Sequence, residues 1–360
     1  MKRITIVAGA RPNFVKVAPL IRAIEKTDGA SYLLVYAGRE DDPTLESSIF
    51  DDLQMPRPTV FLGVDSTSLN EITSRVMAQF DALLNQHPTD VVIVVDDLAS
   101  TMAAAIVTKK RGLQLAHLVA GTRSFNMQMP KEVNRLVIDA LSDYLFTAGV
   151  KNSSVATREQ GDKPEGGVYM VGNILMDTLR FNHQRLRQPA IDVEPGKYIV
   201  LTVNRKALLT DSAKLQSMLE AIASAAADVP VIAPLRPAAR NVIDHLTLNL
   251  KPQISNLKSI PSLPYLEFGW LTAHALGIIT DSGNVAEEAT FNGVPCITLN
   301  SYTEHQETVS KGSNVLVGEN PKLLHEAVGK MVRGEWKSCA LPDRWDGRTA
   351  ERIVQILLDR

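Results

Sequence analysis

Along the first half of the chain, short apolar runs rich in β-branched residues alternate with amphipathic stretches. The runs are Ile4 to Ala8, Tyr32 to Tyr36, Val91 to Val95, Leu113 to Leu118 and Tyr144 to Thr147. Segments of helical period separate them, so the pattern predicts βαβ units whose parallel strands are covered on both faces. The stretch after the first run shows how a helix begins. Pro12 sits at a first helical position, where proline forgoes only an amide without a helical partner, and Val15, Leu20, Ile21 and Ile24 then recur at helical spacing.

The alternation restarts at Val168 to Val171 and continues through Tyr198 to Thr202, Val229 to Ala233, Leu276 to Ile279 and Cys296 to Leu299. A second doubly wound parallel-sheet domain is therefore expected. Gln160 to Gly167 and Gln188 to Gly196 are rich in Gly, Pro and polar residues, which places a hinge between about residues 165 and 195. The expected division is a first Rossmann-like domain over 1–170, a second, nucleotide-binding one over 171–345, and a C-terminal helical segment over 346–360.

Composition narrows the function classes. At 360 residues, 45% hydrophobic and 22% charged, the chain has material for two globular cores. A net charge of −2 offers no field for nucleic acid or an anionic membrane. No run approaches the roughly 20 apolar residues of a membrane helix. The apolar run after Lys2-Arg3 stops at Gly9, which reads as a first core strand rather than a secretion signal, and only two cysteines in a large chain fit a reducing cytoplasm, the expected location. Cys296 and Cys339 are too few for a disulfide framework, and no zinc spacing, glycine-rich Walker loop or Ser/His/Asp triad can be assembled.

Ligands of open parallel sheets bind beyond the C-terminal strand ends, so the residues that follow each run are the candidates. The turn Gly9 to Asn13 offers backbone amides and Arg11 to an anion, or is a plain turn with a surface arginine. Thr280 to Glu288 follows a strand and opens a helix. There Ser282, Gly283 and Asn284 can face a pyrophosphate, while Glu287 and Glu288 complement the helix dipole. Thr303 to Glu307 offers a carboxylate to a ribose diol, or a capped helix start. Asp96 and Asp97, together with Met129 to Arg135, bring carboxylates to a strand end where burial can tune proton transfer, or serve as caps and solvated charges. His117 reads as a core histidine.

At these same places the chain resembles the non-hydrolysing UDP-N-acetylglucosamine (UDP-GlcNAc) 2-epimerases. The resemblance is carried by Gly9 to Lys16, Met129 to Arg135, Val171 to Asn173, Thr280 to Gly283, Thr303-Glu304 with Glu307, and Trp345 to Ile353. It implies two Rossmann-like domains facing a cleft, the GT-B type, with the C-terminal helix crossing back to the first domain. It also implies interconversion of UDP-GlcNAc and UDP-ManNAc: the C2 proton is removed, UDP leaves anti to give a glucal, and UDP re-adds. A UDP-sugar ligand, no metal or redox cofactor, and a homodimer are implied likewise. Arg11, Ser282, Gly283 and Glu307 match positions that hold the diphosphate and ribose. Asp97 and Glu132 match acidic positions tied to catalysis, and Arg135 matches the arginine that follows. Substrate contacts are further expected from Asn204, Arg205, Arg236, Asn284 and Glu288.

The departures concentrate on catalytic positions. The family's His-Val-Glu-Ala-Gly reads His117-Leu118-Val119-Ala120-Gly121, and a valine cannot move a proton. A family histidine is Asn204, Pro-Glu-Glu is Pro130-Lys131-Glu132, Gly-Gln-His is Gly38-Arg39-Glu40, a further histidine is Arg236, and Arg-Pro is His305-Gln306. The readings that follow are a 2-epimerase with impaired chemistry, a non-catalytic or repurposed nucleotide-sugar-binding homologue, or an enzyme on the same scaffold, whether for a different, more anionic sugar nucleotide or as a glycosyltransferase or hydrolase.

Overall fold

In the computed structural model, residues 1–160, 167–250 and 254–359 are described. The central part of the Gln160 to Gly167 linker therefore lies outside the described residues. The chain forms two compact units, residues 1–182 with 343–360, and residues 183–342.

The first unit holds seven parallel strands: β1 (Lys2–Ala8), β2 (Ala30–Tyr36), β3 (Val60–Phe61), β4 (Val91–Val95), β5 (Gln114–Ala120), β6 (Tyr144–Thr147) and β7 (Gly167–Met170). Their order is β3-β2-β1-β4-β5-β6-β7, the doubly wound arrangement. Val7, Val35, Val92, Val94 and Leu115 pack on one side against Val76 and Phe80 of one helix and Ala103 and Ala104 of another.

The second unit repeats the scheme with β8 (Ile199–Thr202), β9 (Val231–Leu235), β10 (Leu257–Pro261), β11 (Gly277–Thr280), β12 (Cys296–Thr298) and β13 (Asn314–Leu316), in the order β10-β9-β8-β11-β12-β13. Successive strand residues point to opposite faces. Accordingly Ile199, Leu201 and Ile279 belong to one buried cluster, and Val200, Ile232 and Ile278 to another.

The unit boundary falls at residue 182 rather than 170, because helix Ile174–Asn182 packs on helix Phe14–Glu25 and the Thr178 hydroxyl donates to the Val15 carbonyl at 2.6 Å. The C-terminal segment is tied to the same unit. Asp177 accepts the amides of Thr349 (3.1 Å) and Ala350 (2.8 Å) at the start of helix Thr349–Leu358, and Lys2 Nζ donates to the Leu357 carbonyl at 2.6 Å. No helix of the described residues is long and apolar enough to cross a membrane.

Candidate functional site

In each unit the strand order reverses beside its first strand, between β1 and β4 and between β8 and β11. Such switch points open a crevice at the C-terminal strand ends. The sequence candidates gather at both.

In the first unit, the turn after β1 is folded around Asn13, whose Oδ1 accepts the amides of Gly9 (2.8 Å) and Ala10 (3.0 Å). A side chain at Gly9 would meet Ser100 Oγ at 2.1 Å, so the close approach of this turn to helix Ala99–Lys110 requires glycine. Asn13 Nδ2 donates to Asp96 Oδ2 at 2.7 Å, and Lys16 Nζ pairs with Asp96 Oδ1 at 2.5 Å. This clamp holds Asp96 at φ +60, a left-handed conformation that aspartate tolerates. Arg11 stands in the turn with its Nε buried and without a hydrogen-bond partner among the described residues.

Asp97, next in the chain, is held from helix Pro130–Leu141. Arg135 donates to its Oδ2 through Nε (2.7 Å) and Nη2 (2.6 Å), Lys131 Nζ lies 3.5 Å from Oδ1, and Asn134 Nδ2 donates to its carbonyl at 2.8 Å. Burial pushes the Asp97 carboxyl up, but Arg135, Lys131 and Lys16 overcome it and hold the group below the ordinary aspartate range. Glu132 is 1% exposed and fully engaged. Its Oε2 accepts the Ser124 amide and hydroxyl (2.8 Å each) and faces Arg135 Nη1 at 3.1 Å, while Oε1 accepts the Phe125 amide at 2.9 Å. Burial pushes this carboxyl up too; the Ser124 and Phe125 donors and Arg135 bring it below its ordinary value.

Behind these groups lies His117, buried as a core histidine. Its Nδ1 is 2.5 Å from Asp139 Oδ1, and Nε2 is 3.0 Å from the Asp96 carbonyl oxygen. Asp139 also receives Arg123 Nη2 at 2.7 Å and the Gly121 amide at 3.0 Å. Sequence reasoning missed Asp139. The available signal was the inward face of helix Pro130–Leu141, where Glu132, Asn134, Arg135 and Asp139 are buried at positions that usually take apolar residues. Val119 stands at φ +76 where the β5–β6 register slips between Leu118 and Ala120. A β-branched residue is strained there.

In the second unit, Asp281 follows β11 and its Oδ2 accepts the amides of Asn204 and Arg205, each at 2.7 Å, from the loop after β8. Ser282 begins helix Gly283–Asn292 without using its hydroxyl as a cap, and a Cβ on Gly283 would meet the His305 ring at 2.8 Å. His305 Nδ1 is 2.8 Å from Glu287 Oε1. Glu288 is buried beside Glu287; burial first, then that neighbour's charge, pushes its carboxyl up to about 8. Arg205 is paired with Glu319, which Lys214 also contacts at 2.7 Å. Arg236 is exposed at the end of β9, Asn284 is half-buried in the first turn of helix Gly283–Asn292, and Glu307 is half-buried in the first turn of helix Gln306–Ser310. No group of three or more His, Cys, Asp or Glu among the described residues is arranged to hold a metal ion.

The family model for UDP-N-acetylglucosamine 2-epimerase matches residues 22–358. The chain is 32% identical to a UDP-2,3-diacetamido-2,3-dideoxy-D-glucuronate 2-epimerase of Pseudomonas aeruginosa, over 99% of each chain. It is also 32% identical to a UDP-N-acetylglucosamine 2-epimerase of Methanocaldococcus jannaschii, over 99% of this chain and 98% of that one. Among solved structures, the M. jannaschii epimerase in complex with UDP-GlcNAc and UDP aligns with a TM-score of 0.84 at 31% identity, covering 99% and 100% of the two chains.

Proposed function

Because the chain belongs to the UDP-N-acetylglucosamine 2-epimerase family, we propose that it binds a UDP-2-acetamido sugar and promotes proton exchange and epimerisation at C2, at a rate far below that of a fully equipped epimerase. Nucleotide binding is assigned to the second unit, where Ser282 and Gly283 open a helix and the serine hydroxyl is not used as a cap. Proton transfer is assigned to the first. The observation that carries the reading is Asp97, a partly accessible carboxylate fixed by Arg135 at the switch point. Glu132 is assigned to holding structure, since donors fill both its oxygens.

The reaction needs proton carriers on both faces of C2, and losing one general acid or base typically costs a factor of about 100 to 10,000. Val119 cannot serve, and Lys131 faces Asp97 with an opposite charge that helps keep it ionised. These two positions favour a second reading, a homologue that retains and presents a nucleotide sugar without turning it over. A homodimer, expected by resemblance, would be checked by light scattering.

Incubation with UDP-GlcNAc in deuterated water, followed at C2 by NMR, separates the two. Slow deuterium incorporation with UDP-ManNAc appearing supports the epimerase. Tight UDP binding with no exchange, for UDP-GlcNAc and for a UDP-2-acetamido uronate alike, rejects it in favour of the binding protein.

A further inference from the structure

The loop of residues 121–129, between β5 and helix Pro130–Leu141, exposes two large apolar side chains, Phe125 at 70% and Met127 at 61%. Phe125 also stands at φ +58, where a bulky side chain is strained. Exposure of the ring and strain of the backbone are both unfavourable to the folded chain, and neither is offset by packing of that ring. Strain of this kind persists only where surrounding groups impose it.

Glu132 is the group that imposes it. Oε1 takes the Phe125 amide at 2.9 Å, and Oε2 takes the Ser124 amide and hydroxyl at 2.8 Å each. A carboxylate at 1% exposure would be costly to bury alone, and Arg135 Nη1 at 3.1 Å compensates it. The same guanidinium donates through Nε to Asp97 at 2.7 Å. One arginine therefore fixes the reactive carboxylate and the clamp of the aromatic loop together.

We propose that Glu132 is a positioning residue that holds loop 121–129, and that the loop presents the Phe125 ring as an apolar platform for the sugar of a UDP-2-acetamido sugar acted on at Asp97. The inference rests on the nucleotide-sugar reading above and deepens it. A pyranose offers a face of C–H groups and an acetamido group adds a methyl; an aromatic face receives both, while the surrounding polar groups set orientation. The uridine and the diphosphate carry neither that C–H face nor the methyl, and make no use of the ring.

The test is calorimetric titration of UDP and of UDP-GlcNAc into the full chain and its Phe125→Ala, Phe125→Gly, Phe125→Tyr and Glu132→Gln variants. We expect the unaltered protein to bind both ligands. Phe125→Ala and Phe125→Gly should hold UDP affinity within about twofold and lose about tenfold for UDP-GlcNAc, with Phe125→Tyr unimpaired. Glu132→Gln, which swaps an acceptor oxygen for a donor, should follow Phe125→Ala with both ligands. Phe125→Gly should also melt at a higher temperature than the unaltered protein, since glycine accepts the positive φ without strain. A gain in stability with a loss of sugar affinity is not what a merely structural phenylalanine would give.

Equal UDP-GlcNAc affinity in the unaltered protein and in Phe125→Ala overturns the platform and leaves the nucleotide-sugar reading intact. Equal loss of UDP and UDP-GlcNAc in Phe125→Gly, with a lowered melting temperature, overturns it as well. An unaltered protein that binds neither ligand overturns both readings.

Discussion

The two switch points share one topology and use it in opposite ways. In the first unit the strand ends are crowded with polar and charged groups, all but Lys131 largely buried: Lys16 on Asp96, Arg135 and Lys131 on Asp97, Arg135 again on Glu132, and His117 and Arg123 on Asp139. In the second, Asp281 ties two backbone amides, and the helix that follows opens with Ser282, whose amide donates to the Thr280 hydroxyl at 3.0 Å and whose own hydroxyl makes no cap bond. A doubly wound sheet fixes where a ligand is met; the side chains decide whether it meets a charged network or bare backbone.

Breaking one arginine at each switch point tests the contrast most severely. Arg135→Ala leaves Asp97 and Glu132 as buried carboxylates without their shared guanidinium, and should cost about 3–5 kcal/mol in urea-denaturation stability. Arg205→Ala removes a pair with Glu319 whose side chains are 35% and 25% exposed, and should cost under about 1 kcal/mol. Comparable losses in the two variants would show that the first switch point is no more charge-dependent than the second.

The next effect is set by pH. The Glu288 carboxyl, pushed up to about 8 from an unfolded value of 4.5, stabilises the fold in its neutral form. That contribution is complete below about pH 4.5 and is lost as pH rises through about 8. Glu288→Gln abolishes the dependence, so its stability relative to the unaltered protein should improve by a few kcal/mol between pH 5 and pH 9. A difference between the two proteins that stays flat across this range would mean that Glu288 is solvated or newly paired. Glu287, the charged neighbour, and His305, which contacts Glu287, are untouched by the substitution.

A smaller effect separates binding from stability. Gly283→Ala places a methyl 2.8 Å from the His305 ring, which is held in turn by Glu287, at the turn assigned to the diphosphate. Alanine favours the helix, so the fold should survive, while UDP affinity should fall about tenfold, roughly 1.4 kcal/mol. Unchanged UDP affinity by calorimetry would remove this turn from the nucleotide site.

How much of this was legible beforehand follows from where each residue's partners lie. Central strands carry their signal in their own apolar runs, and β1, β4, β5, β8 and β11 were all predicted. The unpredicted strands, β3, β10 and β13, are edge strands of the two sheets. An edge strand pairs on one side only and needs little hydrophobicity, as Lys258 and Ser259 within β10 illustrate. The run Val229 to Ala233 became Val231 to Leu235, since Val229 closes a turn onto Ala226 and its neighbour Pro230 has no amide for a ladder. At the sites, residue types were legible and saturation was not. Nothing local to Glu132 announces that Ser124 and Phe125 fold back onto it, and Arg205 meets Glu319 from 114 positions away.

The smallest expected effect bears on Val119, at the charged switch point. Val119 occupies the slip in the β5 register at φ +76, a conformation hostile to a β-branched side chain. Valine contributes neither chemistry nor backbone ease there, so Val119→Gly should raise stability by about 1 kcal/mol, read as a higher denaturation midpoint at constant slope. Were the valine instead retained for packing, the same change would lower stability, because a half-buried side chain would leave a cavity behind. Val119→Glu on the same backbone asks the functional question directly. A glutamate is unbranched at Cβ and suffers the positive φ less than valine, and it would stand at the end of β5, the strand paired with β4, from whose end Asp97 extends. With Lys131→Glu, which removes the cation now facing Asp97, the double variant should accelerate C2 deuterium exchange over the unaltered protein. If it binds UDP-GlcNAc normally and exchanges no faster, carboxylates at these two positions are not what limits the chemistry, and Asn204, which by resemblance stands where the family has a histidine, is the next position to change.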